Sequence, residues 1–274
     1  MSNADHPMPE ARRTRCAIRM AAVAAALLAI GRARWTLADE PDATTYASAA
    51  DASDALFRAV HDRDAHALRA VLGAGDELTS CGDESMDRLE HERFLQKYQE
   101  MHRLVREPDG ATVLYVGAEN WPFPVPLVSE GERWRFDDAG GRREVTFRRI
   151  GANEATAIEV SRAVVEAVRR DGAAGDDPIV SYAASLVRDA RARGGEASAA
   201  SGAEPFHGYR FLVRPQKGAL TVVAFPAEYR ASGVMTFVAG PNGVVRERDL
   251  GPDTSRIAPT LTARSVSGWH AGVA

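Results

Sequence analysis

The chain has 274 residues, of which 45% are hydrophobic and 26% charged, a composition in the ordinary globular range. Its 34 lysines and arginines nearly balance its 38 aspartates and glutamates, giving a net charge of -4 without a basic block. Because binding to a phosphate backbone requires a concentrated positive surface, this pattern excludes nucleic acid as an expected partner. We expect two domains, at 46–150 and 151–251, with a tail at 252–274.

The N-terminus carries the pattern of an export signal. Four arginines between positions 12 and 19 precede an apolar run at 20–30. This run suits the hydrophobic region of a signal peptide and is shorter than the roughly 20 residues that cross a bilayer. We therefore expect cleavage after residue 38, a periplasmic or secreted protein starting near Asp39, and no stable membrane span after processing. Ala33 is an earlier alternative for the cleavage site, an uncleaved anchoring helix is a further alternative, and Sec and twin-arginine export both stay open.

The two cysteines predict no internal disulfide. Cys16 lies within the expected signal peptide, so Cys81 is left alone in the mature chain. A nucleophilic thiol would need a neighbouring base, and no histidine is close to Cys81 in sequence. We interpret Cys81 as a partly buried thiol without chemistry.

Helical spacing of apolar residues at 52–73 predicts two helices, with Asp64 as the N-cap of the second and an end at Gly73. A short strand is predicted at 77–80 and a long helix at 86–105. On that helix His91 and His102 would be surface residues about 16 Å apart by helical rise, too far to share a metal.

The stretch "HDRDAH" contains residue types that bind zinc: His61, Asp62, Asp64 and His66. A metal site needs three side chains that converge, and these four span a chain reversal. We therefore interpret Asp64 as a helix cap and the histidines as solvated, and we expect neither a metal nor another cofactor.

Four strands follow, at 111–118, 124–130, 133–137 and 143–150. The tight turn at 130–132 joins the second and third into a hairpin. Alternation places four apolar side chains on the inner face: Trp134, Phe136, Val145 and Phe147.

This order of two helices, a strand, a long helix and four antiparallel strands resembles the nuclear transport factor 2-like cone, a curved sheet wrapped around helices. The resemblance implies a cavity at the wide end, which serves as a ligand site or an active site in some members. Tyr98, His102 and Trp121 are the candidate ligand-binding residues. Catalysis would need an acid or histidine inside, and the inward positions include no acid, so we expect a non-catalytic protein. The stretch "WPFPVPLVSEGERWRFD" at 121–137 is interpreted as scaffold first and ligand wall second.

The C-terminal part is predicted to begin with helices and to continue with strands. Helices are predicted at 151–172 and 178–194, and the low-complexity segment 194–205 is interpreted as a flexible linker. Four strands are predicted, at 206–213, 219–226, 233–239 and 244–250. Asn242-Gly243 predicts a type I′ turn, and the tail beyond Asp253 is expected to fray. Residues near the strand ends are candidates for an interaction surface: His207, Tyr209, Glu228 and Tyr229.

Several words in order resemble a family of exported bacterial proteins, domain of unknown function 2950: "WPFPVPLV", "GERWRFD", "RRIGANE", "FHGYRF", "PAEYRASGVMTF" and "GVVRERDLGPDT". The resemblance extends over about 46–254 and implies no activity or catalytic residue. This chain departs from the family pattern in two shortened insertions and at Cys81, Phe225 and Arg230. More loosely, the C-terminal part is similar to the globular heads of pilins.

Phosphate-binding glycine loops, the nucleophile elbow and metal-binding spacings are absent from the sequence. We therefore predict an α+β protein, exported, that acts as a non-catalytic binding module for an envelope or extracellular protein through its C-terminal sheet. The alternative is a small-ligand binder or cavity enzyme that uses the cone. The alternative requires an inward polar side chain near His102 or Trp121 and an empty apolar cavity, whereas the module requires a filled cone and an exposed apolar or aromatic patch on the second domain.

Overall fold

The computed structural model describes residues 44–73, 75, 78–79, 84–169, 176–192, 198–199, 204–216 and 219–272. The expected signal peptide at 1–38 and both cysteines, Cys16 and Cys81, lie outside the described residues. Among the helices in the described ranges, none combines the length and apolar character needed to cross a bilayer.

The predicted helical pair is confirmed as α1 (Ala49–His61) and α2 (Ala65–Leu72). Ser48 caps α1, and its Oγ accepts the backbone N–H three residues on at 3.0 Å. Asp64 caps α2 in the same way at 2.9 Å, as its sequence position predicts. Gly73 ends α2 in the left-handed conformation that glycine adopts without strain.

The predicted long helix is shorter than expected. Helix α3 spans Glu84–Glu100, and the next residues form strand β1 (His102–Arg106). The Gly117 N–H donates to the carbonyl oxygens of Lys97 (3.1 Å) and Met101 (2.9 Å), which closes the end of the helix. Pairing of β1 along its full length with the following strand therefore overrides the local helical pattern.

The first sheet is antiparallel and has five strands. After β1 come β2 (Thr112–Val116), β3 (Trp121–Pro122), β4 (Leu127–Glu130) and β5 (Arg133–Phe136). Their order is β1-β2-β4-β5, with β3 on β2. The predicted hairpin at 130–132 is confirmed. The strand predicted at 77–80 is not seen at its two described residues, Leu78 and Thr79.

The strand predicted at 143–150 is wrong. These residues lie within α4 (Asp138–Arg169), a continuous helix of 32 residues, which also contains the boundary predicted after residue 150. Two i,i+4 ion pairs support its first turns: Asp138–Arg142 at 2.6 Å and Glu144–Arg148 at 2.8 Å. Phe147, expected to face inward, is 72% exposed because it lies on the outer face of this helix.

The second predicted helix of this part is confirmed as α5 (Pro178–Ala192). The second sheet has six strands in the order β11-β10-β9-β8-β7-β6. The four predicted strands are present as β7 (Tyr209–Gln216), β8 (Ala219–Pro226), β9 (Met235–Ala239) and β10 (Val245–Asp249). Two short edge strands were not predicted: β6 (Ser198–Ala199), inside the expected linker, and β11 (His270–Ala271). Residues 193–197 and 200–203 of the linker region lie outside the described residues.

The turn between β9 and β10 is not the predicted type I′. The Gly243 N–H donates to the Gly240 carbonyl at 3.0 Å, so Pro241 and Asn242 are the central residues. Only Gly243 has positive φ (79°), whereas type I′ requires it at both central positions. Proline fixes φ near the value of the first central position of a type I turn, which explains the difference.

Both faces of the second sheet are covered. Helices α4 and α5 pack on one face, around buried side chains such as Val164, Val187 and Phe237. The other face is covered by 254–269, which starts with the short helix α6 (Thr254–Ile257). The expectation that this tail frays is therefore wrong, since Ala258, Leu261, Val266 and Trp269 are all buried. Their spacing is irregular because the segment is a series of short turns.

Candidate functional site

An apolar cavity of about 360 Å³ lies where α1, α2 and α3 meet the inner face of the first sheet. Apolar side chains form most of its wall, among them Leu56, Leu72, Phe94, Val116, Phe123 and Val125. Several of these are core residues, with Leu56, Leu72, Val116 and Val125 at most 2% exposed. Val145 reaches the cavity from α4. We call this space the apolar cavity.

The segment "WPFPVP" at 121–126 is a partition between two spaces. Trp121, Phe123 and Val125 line the apolar cavity. The three prolines at alternate positions border a groove of about 280 Å³, and Phe123 and Pro124 line both spaces. The Phe123 N–H donates to the Leu114 carbonyl at 2.7 Å, which fixes the segment on β2. The stretch interpreted as scaffold first and ligand wall second therefore also forms part of the wall of the apolar cavity.

Charged side chains that line the apolar cavity are paired. The Lys97 ammonium forms an ion pair with Glu119, and Arg93 forms one with Glu90 at 2.9 Å. Trp121 is 40% exposed, and the guanidinium of Arg148 lies 5.2 Å from its ring centroid. The cavity is therefore an apolar space with an aromatic edge and neutralised charges.

Of the three predicted ligand residues, only Trp121 lines this cavity. Tyr98 is buried, and its hydroxyl bonds to Ser53 (2.9 Å) and Asp54 (3.2 Å). Burial raises the pKa of Tyr98 above its ordinary value, so it stays protonated at neutral pH. His102 is exposed and stacks on Tyr98 with ring centroids 3.9 Å apart. Tyr98 and His102 thus come together, but they do not join Trp121 in the cavity wall.

A second cavity of about 500 Å³ adjoins the first, between the α1–α2 turn and α3. Its wall contains Arg63, Asp64, Arg88, His91 and Glu92, and we call it the charged cavity. Four residues line both spaces: Val60, Leu68, Thr79 and His91.

His91, expected to be a surface residue, is half-buried at this junction. Sequence reasoning missed it as a site residue. The sequence signal was its spacing: His91 lies three residues after Arg88 and three residues before Phe94, which places all three on one face of α3.

The "HDRDAH" stretch forms caps and a local pair. The Asp64 carboxylate accepts the capping hydrogen bond at the start of α2, and the His61 Nδ1 atom lies 2.9 Å from Asp62 Oδ1. His66 is exposed on α2. In the ranges that the structure covers, no three His, Cys, Asp or Glu side chains are grouped to hold a metal.

Tyr209, predicted as an interaction residue, is a core residue with no exposed surface. Its hydroxyl donates to the Met235 carbonyl at 2.9 Å and lies 3.5 Å from Glu154. Burial, followed by the nearby negative charge of Glu154, raises the pKa of Tyr209 far above its ordinary value. This correction removes Tyr209 from any surface patch.

The other three interaction candidates lie on turns of the second sheet. His207 and Glu228 are exposed, and Tyr229 is half-buried with its hydroxyl 3.1 Å from Asp249. His207 has a positive φ of 45°, so this position is a tight turn. They lie in turns at the end of the sheet, whose two faces are covered.

The structure thus defines an α+β protein with two antiparallel sheets, an apolar cavity beside the first and a second sheet covered on both faces. The protein family of unknown function designated DUF2950 matches residues 43–196 and 183–271, and the chain belongs to this family. No curated protein and no solved structure matches the chain. The resemblances to the nuclear transport factor 2-like cone and to pilin heads therefore stay predictions.

Proposed function

We propose that the chain is an exported, non-catalytic binding protein that holds a small apolar group in the apolar cavity. The observation that carries this proposal is the cavity of about 360 Å³ with its largely apolar wall. Small-molecule sites are typically concave, apolar and roughly 300–1,000 Å³ in volume. The cavity falls in this range.

The packing of the surrounding core supports a ligand. Protein interiors are close-packed, and voids much larger than a water molecule are few. Here the cavity lies beside well-buried side chains such as Leu114, Leu127 and Phe136, which are 0% exposed. A well-packed core next to a large apolar space is the arrangement expected of a binding site.

Catalysis and docking through the second sheet have less support. Among the described residues of the apolar wall, Glu90 is the only carboxylate and is paired with Arg93, which leaves His91 as a single acid–base group without a second one to work with. General acid–base catalysis needs an acid or base within reach of the reacting group. Segment 254–269 covers one face of the second sheet, so a protein partner is left with the turns at the end of that sheet, where His207 and Glu228 are exposed. Small-ligand binding is therefore the better supported function.

The test fills the cavity with a larger side chain. The neutral fluorescent probe N-phenylnaphthylamine should bind the purified protein at one site. Val145→Trp places an indole in the cavity wall and should weaken binding by about tenfold or more, equivalent to about 1.4 kcal/mol. Val180→Trp is the matched control, since Val180 is a partly exposed valine of α5 that does not line the cavity. Failure of the unmodified protein to bind, or equal binding by Val145→Trp, contradicts the proposal.

Export is supported by the N-terminal sequence pattern alone. Native mass spectrometry of the protein recovered from its host's envelope or medium tests it, with a mass that starts near Asp39 as the expected result. A small molecule that is lost on denaturation would further support ligand binding. A mass that retains 1–38 contradicts cleavage, and an attached protein chain would support the docking module instead.

A further inference from the structure

We infer that the ligand is an amphipathic anion, with its apolar group in the apolar cavity and its anionic headgroup in the charged cavity, against Arg88 and His91. This inference rests on the proposed function and adds the class of ligand. It starts from the contact between the two cavities, which share four lining residues and so adjoin.

One face of α3 passes from the charged to the apolar cavity. Arg88 lines the charged cavity, His91 lines both, and Phe94 lines the apolar cavity. Residues three apart share a helix face, and the rise from Arg88 to Phe94 is about 9 Å. A molecule lying along this face would meet a cation at one end and an aromatic ring at the other, which is the polarity of an amphipathic anion.

The acids of the charged cavity are already engaged. The Asp64 carboxylate accepts the backbone N–H of Ala67 at 2.9 Å, and Glu92 lies 3.7 Å from Arg63. Asp87 also has an interaction partner. These contacts take up acceptor positions of the wall, and the Arg63 guanidinium offsets the charge of Glu92.

Two donors of the same wall are free. In the described part of the chain, Arg88 and His91 form no hydrogen bond or ion pair. A guanidinium presents several N–H donors in a planar fork that matches an oxyanion, and the histidine ring supplies another N–H. Charge-assisted hydrogen bonds of this kind are about twice as strong as neutral ones. The free groups thus favour an oxyanion such as a carboxylate over a neutral hydroxyl.

The experiment compares octanoate with octanol, which have the same chain length and differ in the charge of the head. Isothermal titration calorimetry of the full protein should show that octanoate binds about tenfold more tightly than octanol. The double variant Arg88→Gln, His91→Gln should lose this preference, so that its affinities for octanoate and octanol become about equal. Arg149→Gln is the matched control, because Arg149 is an exposed arginine that lines neither cavity, and it should keep the preference.

The possible outcomes separate the two proposals. If the protein binds neither octanol nor octanoate, nor N-phenylnaphthylamine, the proposed function fails and this inference fails with it. If octanol binds and octanoate binds no better, the apolar cavity remains a ligand site and the inference about the headgroup is overturned. A preference for octanoate that survives the double variant also overturns it, because the anion would then be recognised elsewhere.

Discussion

Two carboxylates lie close enough to interact where α4 meets the second sheet. The Glu154 Oε1 accepts the backbone N–H groups of Val234 and Met235, both at 2.9 Å. Burial raises the pKa of Glu247 on β10 above its ordinary value, and the negative charge of Glu154 raises it further. His270, its partner across to β11, acts in the opposite direction. Ionised Glu247 is therefore disfavoured in the folded state.

The sign of the pH dependence follows from this raised pKa. Between the unfolded and folded pKa values of Glu247, the folded state binds more protons, so stability falls as pH rises through that window. Glu247→Gln removes the ionisation and should raise the melting temperature at about pH 7, with a smaller effect at about pH 4. Thermal unfolding of both proteins at the two pH values checks this.

The control for this pH effect is Glu159→Gln, an exposed glutamate of α4. Its melting temperature should differ from that of the unmodified protein by the same small amount at both pH values. A Glu247→Gln variant that is less stable at neutral pH would show that the charge is favourable in the folded state, contrary to the argument.

Individual residues were predictable where a local rule decides their role. Asp64 is an N-cap because its side chain bonds within its own turn, and this needs no distant partner. Tyr209 was misplaced because its burial depends on pairing with Pro226 of β8 and on the cover from α4. His91 was missed because the cavities that it joins are formed by distant parts of the chain.

At the scale of elements, α4 shows how an alternating pattern can mislead. In 143–150 the spacing of Val145 and Phe147 fits a strand, and the preceding Gly140-Gly141 pair suggests a turn. The structure gives Gly141 another role: a Cβ there would lie 2.8 Å from the Val125 Cγ2 atom. The glycine permits close contact between the helix and the cavity wall, a tertiary requirement that a local pattern does not show.

This contact predicts opposite effects for two glycine substitutions in one helix. Gly141→Ala gains about 1 kcal/mol of helix propensity but overlaps Val125, and overpacking costs about 1–3 kcal/mol, so we expect a net loss of about 1 kcal/mol. At Gly151 a Cβ would meet no atom within 4 Å. Gly151→Ala should therefore stabilise the protein by about 0.5–1 kcal/mol. Urea unfolding measures both, and a stabilising Gly141→Ala would contradict the packing argument.

A turn followed the sequence prediction where no neighbouring residue favoured a different turn. The Glu130-Gly131-Glu132 hairpin formed as expected, with Gly131 at a φ of 63°. At Asn242-Gly243 the preceding Pro241 moved the turn by one residue.

At the scale of the whole molecule, the α+β class and the order of most elements followed from hydrophobic periodicity. The cover on the second sheet did not, because the turns at 251–261 are too short to show a helical period and are stable only when packed. That cover bears on the proposed function, because it leaves a protein partner the turns at the end of the second sheet rather than either of its faces.

The two sheets are linked by α4, which has side chains in both halves of the molecule. Val145 lines the apolar cavity, whereas Ile158 and Val164 are buried under the second sheet. Unfolding one half alone would break this continuous helix and expose part of its packed surface. We therefore predict a single cooperative unfolding transition for both halves.

Tryptophans report on each half separately. In a Trp35→Phe background, adding Trp269→Phe leaves Trp121 and Trp134 to report on the first sheet. Adding Trp121→Phe and Trp134→Phe instead leaves Trp269, which is buried against the second sheet. Within each variant the fluorescence midpoint in urea should coincide with that of far-UV circular dichroism, because loss of either core removes packing that holds α4. If Trp269 reports a midpoint distinct from that of the circular dichroism, the halves unfold separately and α4 does not couple them.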